Sequence, residues 1–382
     1  MLPNVIEFLS SYPLLGVDDA SLSVWRSECE SSWSQLSKDY LSQQEAVRGS
    51  MLLSTLLSSY TDLARLVATK QYESTVSWTL EQRRKCMQVL CAATQVEQRT
   101  QQWYTDAANL LTASQFQTIL KSGRTRALLV EEKALANVDT SQRLTTQRTQ
   151  YLNPFLWGIR FEPVVKDIYE ALTQTKVREM GRLRHRTNPR LAASPDGLVE
   201  AGPDERLGRF VEFKAPVTRP IINKIPEEYM TQMQIQMEVG DIEECDYLEV
   251  KFQSEYPQKV IPPQPTSTRN HPVFYGSIAI LGVDAEKKYR YEYSPLNTFA
   301  WKPVVQPGED LLEMVPWWTD TWYLKTVGRS RPWFSATVPH IEAFWHDVEQ
   351  YKIGKFVVPV STRTKKDSIC RIIETSSEEM VA

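Results

Sequence analysis

Apolar residues recur at helical spacing through Leu22–Leu66 and again through Leu80–Thr94, with Leu52, Leu53, Leu56 and Leu57 forming one stripe. That pattern predicts an α-helical N-terminal extension over residues 1–95, suited to packing or partner contact and carrying no evident chemistry. From Glu97 the texture changes. Gln115–Lys121 reads as a short helix capped by Thr112 and closed by Gly123. A longer helix follows over Asn153–Leu172, with Asn153 as cap, Pro154 at its first position, and Trp157, Phe161, Val165, Ile168 and Leu172 on one side. Glu162 lies beside that apolar side, and Pro163 directly after it predicts a bend or break that would aim the carboxylate.

Period-two alternation and β-branched or aromatic enrichment predict strands over Arg190–Ser194, Arg209–Pro216, Asp246–Phe252, Pro272–Val283 and Tyr289–Tyr293. Between them, Tyr229–Met237 reads as a helix in which Tyr229, Gln232 and Gln236 share one side. The tryptophan-dense stretch Trp301–Phe334 suits packing better than base stacking. Pro339–Tyr351 predicts a last helix with Ile341, Phe344, Trp345 and Val348 inward, and from Ser361 the chain reads as a flexible tail. No internal repeat is visible. Helices and strands therefore alternate after residue 96, which is an α/β pattern.

With 382 residues and a formal net charge of −3, the chain has room for two domains or for one with large extensions. It is not a protein held on nucleic acid by bulk charge. Local basic surface is available in Lys176, Arg178, Arg182, Arg184, Arg186 and Arg190, and in Lys121, Arg124 and Arg126; each cluster fits either a phosphate track or a solvated face. The five cysteines show no metal spacing, and their odd number points to free thiols in a reducing compartment. The N-terminus lacks a secretory pattern and no apolar run approaches a membrane span, so an intracellular, soluble, non-secreted protein is expected.

Chemistry concentrates at Asp196 in Ala-Ser-Pro-Asp-Gly and, sixteen residues later, at Glu212-Phe213-Lys214. On a strand, Glu212 and Lys214 point to the same side. A turn-rich stretch around Gly202-Pro203 would let the Arg190–Ser194 strand run antiparallel to it and bring Asp196 beside Glu212. Two carboxylates facing one lysine suit a Mg²⁺-assisted phosphodiesterase, the acids holding the ion while Lys214 orients or helps deprotonate water. Glu162 could add a third acid, and the amides near Gln232 could serve a phosphate or the attacking water. At the Thr112 helix start, free N–H groups and the Ser114 hydroxyl suit a terminal phosphate. The same residues also fit a plain turn, an exposed ion pair and an ordinary capped helix.

Taken in order, Trp103…Leu111-Thr112-Ala113-Ser114, Trp157-Gly158…Glu162, Ser194-Pro195-Asp196-Gly197-Leu198, Glu212-Phe213-Lys214-Ala215-Pro216 and Tyr229-Met230-x-Gln232-x-Gln234 resemble the lambda-exonuclease-like (YqaJ) viral recombinase nucleases of the PD-(D/E)xK superfamily. Ile242–Glu249, and Trp333-Phe334 before Phe344-Trp345, look like the version carried by large nucleocytoplasmic DNA viruses. The resemblance implies a nuclease core over 96–353, with a mixed central sheet flanked by helices, a Trp-rich insertion near 296–334 and a tail at 354–382. It implies Mg²⁺, with Mn²⁺ as a substitute, held by Asp196, Glu212, the Phe213 carbonyl and Glu162. Lys214 would activate water, and Gln232 would lie near the metal or nucleophile.

The implied activity is 5′→3′ degradation of duplex DNA from a free end, producing single-stranded tails for viral recombination or replication in the cytoplasm or nucleus of a host cell. The implied partners are a single-strand annealing protein and, in a ring-shaped homotrimer, further copies of the chain. Substrate contacts would come from Ser114 and Trp103. One departure stands out: the arginine expected four residues past the tryptophan is Ala107, so Arg124 or Arg126 would take over the 5′-phosphate, or the enzyme would depend less on it. The rival readings are an endonuclease or flap-processing nuclease on the same fold, and a catalytically silent DNA-binding or scaffold protein.

Overall fold

In the computed structural model, residues 19–40, 42–70, 78–135, 154–254, 273–283 and 288–360 are described; the expected tail from Ser361 lies outside them. Two helices, α1 (Asp19–Tyr40) and α2 (Gln43–Lys70), pack against each other and bury Cys29, Trp33, Leu53 and Leu57. A third, α3 (Leu80–Ala92), starts at a capping box made by Thr79 and Gln82. Then come α4 (Gln101–Ala107), the two-residue β1 (Leu111–Thr112), α5 (Ala113–Ile119) and α6 (Arg124–Ala134).

The long helix α7 (Pro154–Thr173) leads into β2 (Lys176–Arg178), β3 (Leu183–Arg184), β4 (Leu191–Ala193), β5 (Gly197–Ala201) and β6 (Phe210–Lys214). Helix α8 (Glu227–Gly240) crosses from β6 to β7 (Glu244–Ser254), followed by β8 (Tyr275–Val283), β9 (Lys288–Tyr293), β10 (Asp310–Gly328) and α9 (Arg331–Lys352). A seven-stranded sheet has the order β2-β5-β6-β7-β10-β8-β9, and β1-β4-β3 form a smaller one. Among the described residues of the large sheet only β6 and β7 pair in parallel, as their helical crossover requires.

Side-chain alternation divides the sheet into two layers. Val199, Val211, Phe213, Leu248 and Val250 face α7, burying Phe161, Val165, Ile168 and Tyr169. Leu198, Phe210, Cys245 and Tyr247 face the other way, against Met233 and Met237 of α8 and Ile341 and Phe344 of α9. The mixed central sheet flanked by helices is therefore the observed architecture. Among the described residues no helix is long and apolar enough to cross a membrane. Cys29, Cys86, Cys91 and Cys245 are free thiols.

Three local expectations need correction. The strand before Asp196 is not the hairpin partner of β6: β4 belongs to the small sheet, and it is β5, the strand after Asp196, that pairs antiparallel with β6. Pro195 offers no N–H and Asp196 bends, so the chain changes sheets between them. Pro163 neither breaks nor ends α7; the missing backbone bond is outweighed by a buried apolar stripe on both sides of it, from Trp157 to Tyr169. The Trp-rich stretch does pack as expected: β10 pairs with both β7 and β8 and buries Trp317 and Trp318. Finally, α9 begins at Arg331, where Ser330 accepts from the Trp333 N–H, and runs through Pro339.

Candidate active site

Register brings the acids together. Gly197 pairs with Val211, so the antiparallel ladder carried one residue further sets Asp196 opposite Glu212, with both side chains on one side of the sheet. The ladder closes there through a side chain: the Phe213 N–H donates to Asp196 Oδ2 at 2.7 Å. Gly197 has to be glycine at this point, since a Cβ would stand 2.3 Å from Val177 Cγ1 and 2.9 Å from the Arg178 carbonyl oxygen. Behind Asp196 the loop is braced from α4 and the segment before it. The Trp103 indole donates to Ser194 Oγ at 3.1 Å, and Gln98 Nε2 donates to the Pro195 carbonyl at 3.1 Å and to that of Met180 at 2.8 Å.

Glu212 is fully buried in the middle of the sheet. Its Oε1 pairs with Lys214 Nζ, and its Oε2 accepts from Gln236 Nε2 at 2.6 Å. The ammonium of Lys214 also sits 4.8 Å from the centre of the Tyr229 ring. Glu162 leans in from α7 and is paired with Arg99. Arg99 holds a left-handed backbone conformation (φ 65°) just before α4, a strained position of the kind found where a side chain must be aimed.

The charges act on one another. Burial pushes the Asp196 carboxyl well above the usual carboxylate range, and Glu212 and Glu162 push it further, against the opposing pull of Lys214 and the Phe213 N–H. Burial likewise raises Glu162, and Arg99 pulls it only part of the way back. For Lys214, burial acts downward, yet Glu212 and Asp196 outweigh it and hold the ammonium above its ordinary value. As arranged here Lys214 is a cation, suited to orienting a water or offsetting negative charge rather than to taking a proton. Among the described residues no group of three or more His, Cys, Asp or Glu side chains forms an ion cage. Mg²⁺ asks for only one or two carboxylates, though, and like-charge crowding at Asp196 and Glu162 is what such a cation would relieve.

Other candidates fall elsewhere. Gln236, one turn beyond Gln232 on the same side of α8, supplies the amide that reaches Glu212; Gln232 is half-buried. The Ser114 hydroxyl lies 3.2 Å from Thr112 Oγ1 at the exposed start of α5. Arg126 donates to Asp347 at 2.6 Å and Arg124 to the Pro359 carbonyl, and no contact among the described residues joins either to the acids. The cation found at Ala107 is Lys133, buried, with Nζ 2.8 Å from the Ala107 carbonyl. The basic run before Asp196 does not form one track. Lys176 pairs with Glu170, Arg178 with Glu200, Arg184 with Asp106 and Arg190 with Glu349, while Arg182 is buried over the Trp103 ring at 4.2 Å. Its strands β2 and β3 enter different sheets.

Sequence reasoning missed Arg99, Arg219 and Glu249. No periodicity marks the two arginines, and of Glu249 the sequence marks the strand side but not the neighbour. Glu249 stands two residues beyond Tyr247 in a β-prone run, so it shares a strand side with it, and β7 pairs Tyr247 with Glu212 and Glu249 with Lys214.

Residues 96–243 match the YqaJ-like viral recombinase domain. An uncharacterized protein of Acanthamoeba polyphaga mimivirus is 32% identical over 107 residues, a segment that covers 25% of this chain and 20% of that protein; the chain thus spans about a fifth of that relative. Among solved structures, the fold is similar to an alkaline exonuclease from Laribacter hongkongensis (19% identity, 67% of this chain and 95% of that one, TM-score 0.38) and to the same enzyme in complex with dAMP (18% identity, the same coverage, TM-score 0.39). A phage-related exonuclease from Haemophilus somnus is 14% identical over 37% of this chain and 68% of its own, with a TM-score of 0.27. Superpositions this loose carry no weight beside the match in sequence, which covers Glu162, Asp196 and Glu212. The similarity to the YqaJ-like viral recombinase domain is thus confined to residues 96–243, the stretch that carries those three acids.

Proposed function

We propose that the chain is a metal-dependent DNA nuclease that degrades duplex from free ends, in the 5′→3′ direction, leaving single-stranded tails for viral recombination or replication. The observation that carries this reading is the register of β5 against β6, which sets Asp196 opposite Glu212 with Lys214 on the same side, inside the YqaJ-like segment. In this reading Asp196, Glu212 and the Phe213 carbonyl hold a divalent ion, Mg²⁺ first, with Glu162 as a further acid. When bound, that ion supplies Lewis acidity toward a phosphoryl oxygen and lowers the pKa of a water.

The chain's own residues do the rest. Lys214, held as a cation by Glu212 and Tyr229, orients the water and offsets charge on the phosphoryl group. Gln236 fixes the Glu212 carboxylate, and Trp103 and Gln98 fix the Asp196 loop. Ser114 contacts the 5′ end. A single-strand annealing protein and a homotrimeric ring fit this activity. Because Ala107 replaces an expected arginine, cleavage that does not depend on a 5′-phosphate, including internal cleavage, is the second reading.

A time course on end-labelled linear duplex with Mg²⁺, beside closed circular duplex and an EDTA control, tests both. Loss of label from linear DNA alone, abolished by EDTA and by Asp196→Asn, is expected. Cutting of closed circles would favour the second reading, and metal-independent or Asp196-independent cleavage would refute the site. Equal rates on 5′-phosphorylated and 5′-hydroxyl ends would remove the phosphate pocket at Ser114.

A further inference from the structure

Beyond the acids, the same side of the sheet carries a second polar set that the cleavage chemistry does not use. Glu249 is completely buried, and among the described residues only its Oε1 has a partner, Arg219, while Oε2 accepts from none of them. A buried carboxylate oxygen left bare is costly, so its retention needs a reason. Arg219 stands in the loop between β6 and α8, about one-third exposed, and its guanidinium lies 5.7 Å from the centre of the Tyr229 ring. The same ring receives Lys214 at 4.8 Å. Tyr229 is therefore shared by the site lysine and by a cation at the rim.

Two residues beyond Glu249, and so on the same side of β7, Lys251 donates to the carbonyl of Thr218, next to Arg219 in the chain. Lys214, Arg219 and Lys251 thus form a row that leads from the acids to the surface. Of the five N–H donors of Arg219, the described contacts use Nη2 toward Glu249. The free side of a planar fork suits phosphate oxygens. Glu249 at its back and the Tyr229 ring at its side keep it from turning away.

We propose that Arg219, braced by Glu249 and Tyr229 and flanked by Lys251, binds a DNA backbone phosphate next to the one being cleaved, with Glu249 as its positioning residue. The proposal rests on the nuclease reading for the identity of the strand that lies there, but its binding test does not need cleavage. Binding of a labelled linear duplex by the full chain is measured in EDTA over a range of salt concentrations, for the wild type, Arg219→Gln, Lys251→Gln and Glu249→Gln, with thermal melts as a check on folding.

Arg219→Gln is expected to weaken binding several-fold and to flatten the slope of log affinity against log salt by about 0.9, the share of one phosphate on duplex DNA, and Lys251→Gln to do both to a smaller extent. Glu249→Gln separates positioning from bulk charge. It makes the protein more positive, which by itself strengthens DNA binding, whereas loss of the brace predicts weaker binding and a raised KM with kcat little changed. Tighter binding by Glu249→Gln, or an unchanged salt slope in Arg219→Gln, overturns the proposal. Cleavage by a wild type whose variants keep its slope would sink this inference and leave the nuclease reading standing. Binding with the expected slopes but no cleavage would do the reverse, and a wild type that neither binds nor cuts DNA would remove both.

Discussion

Replacing Lys214 with methionine should destabilise the metal-free protein far more than replacing Glu212 with glutamine. The two side chains are paired, but their surroundings differ: Glu212 is wholly buried, whereas Lys214 is 22% exposed and rests on the Tyr229 ring. Removing one member of a buried ion pair typically costs about 3–5 kcal/mol, because an uncompensated charge stays behind. Gln236 would still donate to Glu212 Oε2, and water can reach the emptied lysine position, so roughly 2–3 kcal/mol is expected for Lys214→Met. Glu212→Gln leaves behind a cation that can rehydrate through its exposed end, at a cost of about 1 kcal/mol. The double variant removes both charges and should recover most of the loss, giving a coupling of about 2 kcal/mol. Urea unfolding at pH 7 in EDTA measures all three, with Lys214→Met lowering the midpoint by roughly 1 M. All three should be unable to cleave DNA, so stability and chemistry are read separately. If the double variant is as unstable as Lys214→Met alone, the charge left on Glu212 is not what destabilises it, and the account of the site's electrostatics fails.

Asp196→Asn keeps an acceptor for the Phe213 N–H while removing a charge that burial, Glu212 and Glu162 all disfavour. Because the folded-state pKa of Asp196 is raised, its contribution to stability is present below the unfolded value near 3.9 and is lost as pH rises. The variant should therefore match the wild type near pH 3 in thermal melts and exceed it at pH 7–8 in EDTA; a variant less stable at pH 8 would contradict the crowding. Gly197→Ala drives a Cβ into Val177 and the Arg178 carbonyl, and should cost about 1–3 kcal/mol while lowering cleavage. Wild-type activity and stability in that variant would mean that the hairpin tolerates a shift at Asp196. Gln236→Leu strips a buried carboxylate oxygen of its donor, at a cost of about 1–3 kcal/mol and with reduced kcat, whereas Gln232→Ala should be nearly silent in unfolding experiments. The opposite order would return the amide role to Gln232.

What could be read from sequence was what alternation decides. Glu212 and Lys214 had to share a side because strands have period two, and the helix carrying Tyr229 and Gln236 followed from apolar spacing. Pairing partners were another matter. Arg190–Ser194 and Gly197–Ala201 are both short and β-prone, and nothing local says which one lies beside Phe210–Lys214; the choice is made by Leu191 and Ala192 pairing with Leu111 and Thr112, some eighty positions away. The helix through Pro163 shows the same limit, since one lost hydrogen bond is a local fact while the buried stripe that outweighs it belongs to the sheet underneath. Arg219 and Glu249 escaped for a third reason. Their meaning lies in a parallel ladder between β6 and β7 whose register no single strand contains, and only that ladder turns a buried carboxylate thirty-five residues after Lys214 into its neighbour. Side, then, is written in each strand, whereas neighbourhood is written in the packing. A charged residue on the correct side of a buried strand is accordingly the feature to follow across the sheet when a site's outer contacts are sought.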